Sequence, residues 1–256
     1  MDRQMEFGFL RKIKINNQFT YKLQKQMKIN LLLLSTIFLF LSCNETKQQK
    51  TKSLINGTDL SGWHIDVPDM DNNLQAVNPF FIRNGMLVTL GEPLGHIITD
   101  DEYENYRLEV EYRFTGEAGN GGVMLHSSTL RAVNDLFPQS LEVQMMHGNV
   151  GDFWCFQEDI EVPNMEERRG PKENWGSTAD KQRNIPKLVD AENPAGEWNN
   201  LVIECVGNEV KVWLNDELVN YGFNCTASKG NIALQSEGVE IEFQRVDLTP
   251  ITEITK

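Results

Sequence analysis

A carboxylate and an amide two residues apart on one strand can supply a proton-abstracting base and a partner that orients hydroxyls. Glu142 and Gln144 have that spacing within Leu141–Met146. Side chains alternate across a strand, so these two share one face while Leu141, Val143 and Met145 take the other. A carboxylate and an amide do not sit unpartnered in an apolar core. By the same alternation His126 faces away from Val123 and Leu125, and Gln235 joins Ala233 opposite Ile232 and Leu234. His126, Glu142, Gln144 and Gln235 are therefore expected to line one surface, although polar outer faces are also ordinary in antiparallel sheets. His147 falls on the apolar face by strict alternation. It reaches the polar one only if the strand bulges at His147-Gly148. His126, Glu142 and His147 could together form a mixed N/O set for a divalent metal acting as a Lewis acid. No H-x-H or H-E-x-x-H spacing accompanies them, and no other cofactor is implied.

Aromatic residues suggest what these groups would act on. Trp154 follows the flexible His147–Gly151 segment and can stack on a sugar ring. Trp175 stands alone in the polar stretch Val162–Asn193 and reads the same way. Loops of that length are uncommon unless functional or disordered. Trp63, Trp198 and Trp213 have the contexts of structural residues, and His64 and His96 read as surface loop positions.

The elements that must position these residues are strands. Arg107–Phe114 reads RLEVEYRF, with Leu108, Val110, Tyr112 and Phe114 on one face and charges on the other. Period two marks a half-buried strand. Val123–His126, Leu141–Met146, Leu201–Val206, Val210–Leu214, Asn231–Gln235 and Val239–Phe243 behave alike. Asn84-Gly85 and Asn215-Asp216 supply hairpin turns. The most helix-like piece, around Asp101–Asn105, extends a turn or two. Many short antiparallel strands without long helices predict a sandwich or barrel.

Ahead of these strands lies Leu31–Leu41, an apolar run too short to span a membrane but suited to an export signal, with Lys28 before it. Phe40-Leu41-Ser42-Cys43 resembles a bacterial lipobox, with Leu one place nearer the cysteine than usual and Ser42 in place of Gly or Ala. Cys43 is thus the expected lipidation site. Residues 1–42 are read as an over-called start plus signal, 43–53 as a tether and 54–252 as one domain. The expected location is the bacterial cell envelope, lipid-anchored and facing the periplasm. Removing the seven Lys/Arg and two Asp/Glu before Cys43 from the chain's 24 and 37 leaves a body with net charge −18. Such acidity excludes nucleic acid as a partner. Cys205 and Cys225 could pair in an oxidising compartment. With Cys155 they lack metal-ligand spacing, and all three read as buried thiols rather than a disulfide.

Seven segments in order give a family resemblance. Ile55–Trp63 (INGTDLSGW), Gly85-Met86-Leu87, Tyr103–Arg113, Gly119–Val123, Leu141–Gln144, Pro194–Asn199 and Gly230–Phe243 resemble the motifs of the 3-keto-disaccharide hydrolase family. Gly121 stands where that family has Ser, and Leu141 where it has Tyr. The resemblance implies an all-β fold, a concanavalin A-like jelly-roll sandwich of two antiparallel sheets. It also implies cleavage of 3-keto-glycosides, by C2 proton abstraction, β-elimination and hydration. It picks out Glu142, Gln144 and Gln235. Arg168, with Arg169 and Lys172, could stabilise an enolate from a closing loop. The alternative is a non-catalytic carbohydrate-binding module. Gln157–Glu161 lacks the first Glu of the laminarinase-type E-x-D motif, which disfavours retaining endoglucanase chemistry.

Overall fold

The computed structural model describes Lys22, Lys25, Gln26 and residues 50–255 except Leu74. Apart from those three residues, the expected leader lies outside the described residues, as does Cys43. Strands are numbered along the chain. One sheet runs in the spatial order β13 (Glu217–Gly222), β12 (Glu209–Leu214), β11 (Asn199–Val206), β6 (Tyr106–Phe114), β15 (Ile241–Pro250), β4 (Met86–Thr89) and β3 (Phe80–Arg83). β1 (Lys52–Ser53) also pairs with β15. The second sheet runs β10 (Asn184–Ile185), β9 (Phe153–Phe156), β8 (Ser140–Gln144), β7 (Gly122–Ser127), β14 (Asn231–Ser236), β5 (Gly95–Thr99) and β2 (Trp63–Asp66). Every ladder between these strands is antiparallel. This is the two-sheet jelly-roll sandwich that the resemblance implies. Within the described residues of 50–255 there is one short α-helix, α1 (Met165–Arg169), and none at Asp101–Asn105.

Alternation builds the core. Leu108, Val110, Tyr112 and Phe114 of β6 are buried between the sheets with Leu201, Ile203, Val246 and Leu248, against Val123, Leu125, Leu141, Val143, Phe153 and Leu234 of the second sheet. On β15 the pairing with β6 slips between Phe243 and Arg245, and Gln244 is exposed. The extra residue restores the phase, so Val246 and Leu248 still point inward. Both Asn-containing turns form as expected: Asn84 and Gly85 have φ of 55° and 82°, Asn215 and Asp216 of 50° and 71°. Left-handed pairs of this kind match the twist of the strands they join.

The outward face of the larger sheet carries a ladder of ion pairs. Arg107 bonds Glu109 and Glu204, Arg245 bonds Glu109, and Arg113 and Arg83 both bond Glu242. Trp198 lies under Arg113 and Trp213 under Lys211, at 4.6 and 5.5 Å. Of the three structural tryptophans only Trp63 is buried, its Nε1 donating to Leu54 O at 2.6 Å. Cys155, Cys205 and Cys225 are free and buried.

Candidate functional site

The outward face of the smaller sheet holds the site. Its register places residues in rows across the strands. Ile98, Ala233, Met124, Glu142 and Trp154 make one row. His96 pairs with Gln235 and Gly122 with Gln144 in the next, and the pairing of Leu234 with Val123 sets Gln235 beside Gly122. Period two therefore brings Glu142, Gln144 and Gln235 to one face, and all three are buried. The same face carries a second apolar cluster that contains Ile98, Met124, Val133, Phe137, Phe156 and Ala233, with Trp154 against it.

Gly122 explains how two polar side chains fit over one strand. A Cβ built there would stand 2.2 Å from Glu142 Oε1 and 2.6 Å from Gln235 Oε1. Only a residue without a side chain leaves that space. Neither oxygen has a hydrogen-bond partner. Two acceptors meeting over one glycine call for a proton between them, or for the Gln235 amide turned to offer its NH2. Burial pushes the Glu142 carboxyl well above the glutamate range, and the nearby Glu237 carboxylate adds to this. The Arg183 cation and the neighbouring Gln235 side chain oppose it. A carboxyl with a raised pKa keeps its proton to higher pH than an ordinary glutamate and is a stronger base once it loses it. Gln144 is differently employed. Its Oε1 accepts from Met145 N and Met146 N, both at 2.9 Å, which leaves its NH2 for the cleft.

A cleft of about 300 Å³ opens over Glu142 and Gln144. Trp154, Phe156 and Phe137 are its aromatic lining, and Phe137 stacks on Phe156 at 6.1 Å with planes 5° apart. Val133, Asn134 and Phe137 come from the connection between β7 and β8. Arg131 pins that connection by donating from Nε to Asp66 Oδ1 at 2.7 Å and from Nη2 to Asp71 Oδ1 at 2.7 Å. Asn120, Arg183 and Glu237 complete the rim. The Arg183 guanidinium lies over Trp154 and Phe156, at 5.6 and 5.4 Å, so it is held as a fixed cation. Burial also raises the Glu237 carboxyl, against a side-chain hydrogen bond from Asn120. The sequence reading did not find Arg183, Glu237 or Asn120. None lies in the alternating interior of a strand.

Other expected residues lie elsewhere. His126 has φ of +51°, and the β14–β7 register shifts beside it. This left-handed residue reverses the alternation, so the ring packs edge-on against core Tyr106 at 5.7 Å and is absent from the cleft lining. His147 sits in a turn after β8, half exposed, with Nδ1 2.9 Å from Glu192 Oε1. The mixed set of His126, Glu142 and His147 is therefore not assembled. No cluster of three or more His, Cys, Asp or Glu suited to a metal occurs among the described residues. Arg168 donates to Pro186 O and to Asn220 Oδ1, and Trp175 Nε1 donates to Gly170 O at 2.7 Å. Neither lines the cleft over Glu142. Arg169 is buried as a staple of its loop, bonding Asp159 and the carbonyls of Gln182 and Gly176. His96 is not a surface residue. It is fully buried on β5, with Nε2 3.6 Å from Asp66 Oδ2.

The fold has known counterparts. A family profile described as a 3-keto-alpha-glucoside-1,2-lyase-like domain matches residues 50–249. Among solved structures, a candidate glycosyl hydrolase from Parabacteroides distasonis ATCC 8503 is 18% identical, covering 82% of this chain and 98% of its own, with a TM-score of 0.55. A second from the same organism is 20% identical, covering 79% and 100%, at a TM-score of 0.51. The carbohydrate-binding module CBM66 from Bacillus subtilis is 14% identical, covering 73% and 96%, at 0.49. No curated sequence matches the chain. The two Parabacteroides likenesses show a shared fold, the concanavalin-like sandwich.

Proposed function

The chain belongs to the 3-keto-alpha-glucoside-1,2-lyase-like family of carbohydrate-active domains, and on that premise we propose that it cleaves 3-keto-glycosides at the glycosidic bond. The observation that carries this reading is the buried Glu142 carboxyl, with one oxygen unpartnered, on the floor of an aromatic-lined cleft beside a fixed arginine.

A ketone at C3 acidifies the proton at C2. Glu142, as carboxylate, takes that proton. The C–H pair becomes the C2–C3 double bond, and negative charge moves to O3. Arg183, on the rim of the same cleft, is the cation placed to stabilise that charge. The enolate then re-forms the ketone and expels the C1 substituent with its bonding pair, leaving a C1–C2 double bond. Glu237, on the rim of the cleft, is placed to relay a proton to the departing oxygen. Water adds at C1 and C2 regains a proton, so the net change is hydrolysis. The Gln144 NH2 orients the sugar hydroxyls, the buried Gln235, absent from the cleft lining, packs beside Glu142, and Trp154 offers its ring to the pyranose. This route does not require the two carboxylates at fixed separation that ordinary glycosidases use.

We include in the proposal lipidation at Cys43 and a cell-envelope location. Their support is the apolar run Leu31–Leu41 and the cysteine after it.

The test is incubation of the purified domain with a 3-keto-disaccharide and with its unoxidised parent. Cleavage of the oxidised form alone is the expected result. Binding of both without cleavage of either would overturn the enzyme reading in favour of a carbohydrate-binding module.

A further inference from the structure

Two neighbouring rows on the outward face of the smaller sheet differ in character. Ile98, Ala233 and Met124 make an apolar row, part of the cluster that contains Phe137. The next row starts on the edge strand β2 and runs Asp66, His96, Gln235. All three residues are buried. Asp66 Oδ2 and His96 Nε2 stand 3.6 Å apart, too far to share a hydrogen bond, and neither atom has another partner. A buried carboxylate left in this state costs stability that an apolar residue at the same place would not. What offsets that cost is the cation that Asp66 holds with its other oxygen.

Asp66 Oδ1 accepts from Arg131 Nε at 2.7 Å and from Nη2 at 2.5 Å. Arg131 lies in residues 128–139, the connection that brings Val133, Asn134 and Phe137 to the cleft over Glu142. Three residues of this connection have left-handed backbone: Arg131, Asn134 and Asp135, with φ of 52°, 55° and 54°. Asn and Asp tolerate that region, whereas an arginine adopts it rarely, so side-chain contacts have to hold the connection in this shape. Those contacts converge on the polar row. Arg131 reaches down to Asp66, and the Phe137 ring packs against His96 with centroids 6.5 Å apart. At the surface Asp71 takes the other edge of the guanidinium. We propose that Asp66, with His96 against Phe137, is a positioning residue for substrate: acting through Arg131, it sets the place of Val133, Asn134 and Phe137 and so the affinity of the cleft for the sugar. The proposal rests on the reading of the Glu142 cleft as the seat of the 3-keto sugar. Asp66 and His96 are absent from the cleft lining, so their effect is indirect. The connection carries none of the groups that move protons in that reading. Its contacts serve ground state and transition state alike, and their loss raises KM while kcat stays.

The variants are Asp66→Asn, Arg131→Met, the two combined, and Asp71→Asn for comparison, each checked for folding by circular dichroism. Steady-state rates on a 3-keto-disaccharide give KM and kcat separately. The expected result is a KM raised about tenfold or more in Asp66→Asn and in Arg131→Met, with kcat within about threefold of the parent. The double variant should be no worse than the worse single one, because both substitutions remove one contact. Asp71→Asn should have a smaller effect, since its carboxylate is 44% exposed and screened by water. Arg131 is partly exposed, so Arg131→Met decides the matter even where Asp66→Asn does not fold. An unchanged KM in folded Arg131→Met would overturn the proposal. So would a loss of kcat at constant KM, additive effects in the double variant, or an Asp71→Asn effect as large as that of Asp66→Asn. Each of these leaves the reading of the Glu142 cleft intact, because the parent still cleaves. A parent that cleaves no 3-keto-disaccharide would overturn both.

Discussion

Substituting Glu142 by Gln separates what the carboxyl does in the reaction from what it costs the fold. The side chain is 1% exposed, one oxygen has no partner, and burial lifts its pKa above the ordinary 4.5. Above pH 4.5 the unfolded chain gives up this proton while the native state keeps it. Stability therefore falls as pH rises through that window, up to the folded pKa. The penalty has a ceiling. Taking a glutamate of pKa 4.5 to its neutral form at pH 7 costs about 3 kcal/mol, and burial cannot cost more than that while protonation remains open to it. Glutamine has nearly the same volume and no charge. Glu142→Gln should thus raise the melting temperature at pH 7 by up to roughly 10 °C for a domain of this size. The gain should shrink to nothing near pH 4.5. Turnover of a 3-keto-glycoside should meanwhile fall by about 10²–10⁴-fold, the usual worth of a general base. Calorimetric melting of both proteins from pH 4.5 to 8, alongside steady-state rates, measures both quantities. A variant less stable than the parent at pH 7, or a gain that does not change with pH, would refute the reasoning. Either would mean that the carboxylate is paired rather than desolvated.

Removing the charge in Arg183→Met should lower kcat by about 10–10³-fold, because a fixed cation near developing charge is lost; single-turnover rates give the comparison, and an unchanged kcat would remove Arg183 from the mechanism. In Gly122→Ala the added carbon would meet Glu142 Oε1 at 2.2 Å. The expected outcome is a destabilisation of about 1–3 kcal/mol by urea titration, with a loss of activity close to that of Glu142→Gln. Burial lowers the His126 pKa to about 4, against a hydrogen bond to Ala227 O. Its unfolded form takes up a proton from about pH 6.5 downward, so stability drains away as pH falls from 6.5 to 4, by up to about 3 kcal/mol. His126→Phe should flatten that slope in urea midpoints, and an unaltered slope would contradict it.

Much of this was legible in the residues because period two is a local signal. RLEVEYRF defines β6 and its buried face without help, and the Asn-Gly and Asn-Asp turns follow from left-handed backbone preferences. The same rule set Glu142, Gln144 and Gln235 on one face. It failed where the backbone leaves the extended region. The positive φ at His126 turns its ring into the core, and nothing in Val123–His126 announces it. Arg183 enters the cleft from the end of a long polar stretch. Its place depends on stacking against Trp154 and Phe156, which lie some 30 residues earlier. That dependence is tertiary and leaves no periodic trace. Trp175, the residue of that stretch that drew notice, is instead bonded to its own loop at Gly170.

The ion-pair ladder on the outward face of the larger sheet bears on how this molecule behaves in a crowded solution. Broad sheet faces invite stacking, because two of them can exclude water over a wide area. Here any such approach would have to strip water from Arg83, Arg107, Arg113 and Arg245 and from the carboxylates between them. These groups are already paired with one another, so an incoming surface has little new attraction to offer against the dehydration. The face is therefore non-adhesive without being strongly charged. Four arginines against Glu109, Glu111, Glu204, Glu240 and Glu242 come close to local neutrality. The acidic excess of the chain must accordingly reside elsewhere on the surface, and the domain presents an anisotropic electrical profile to whatever it meets.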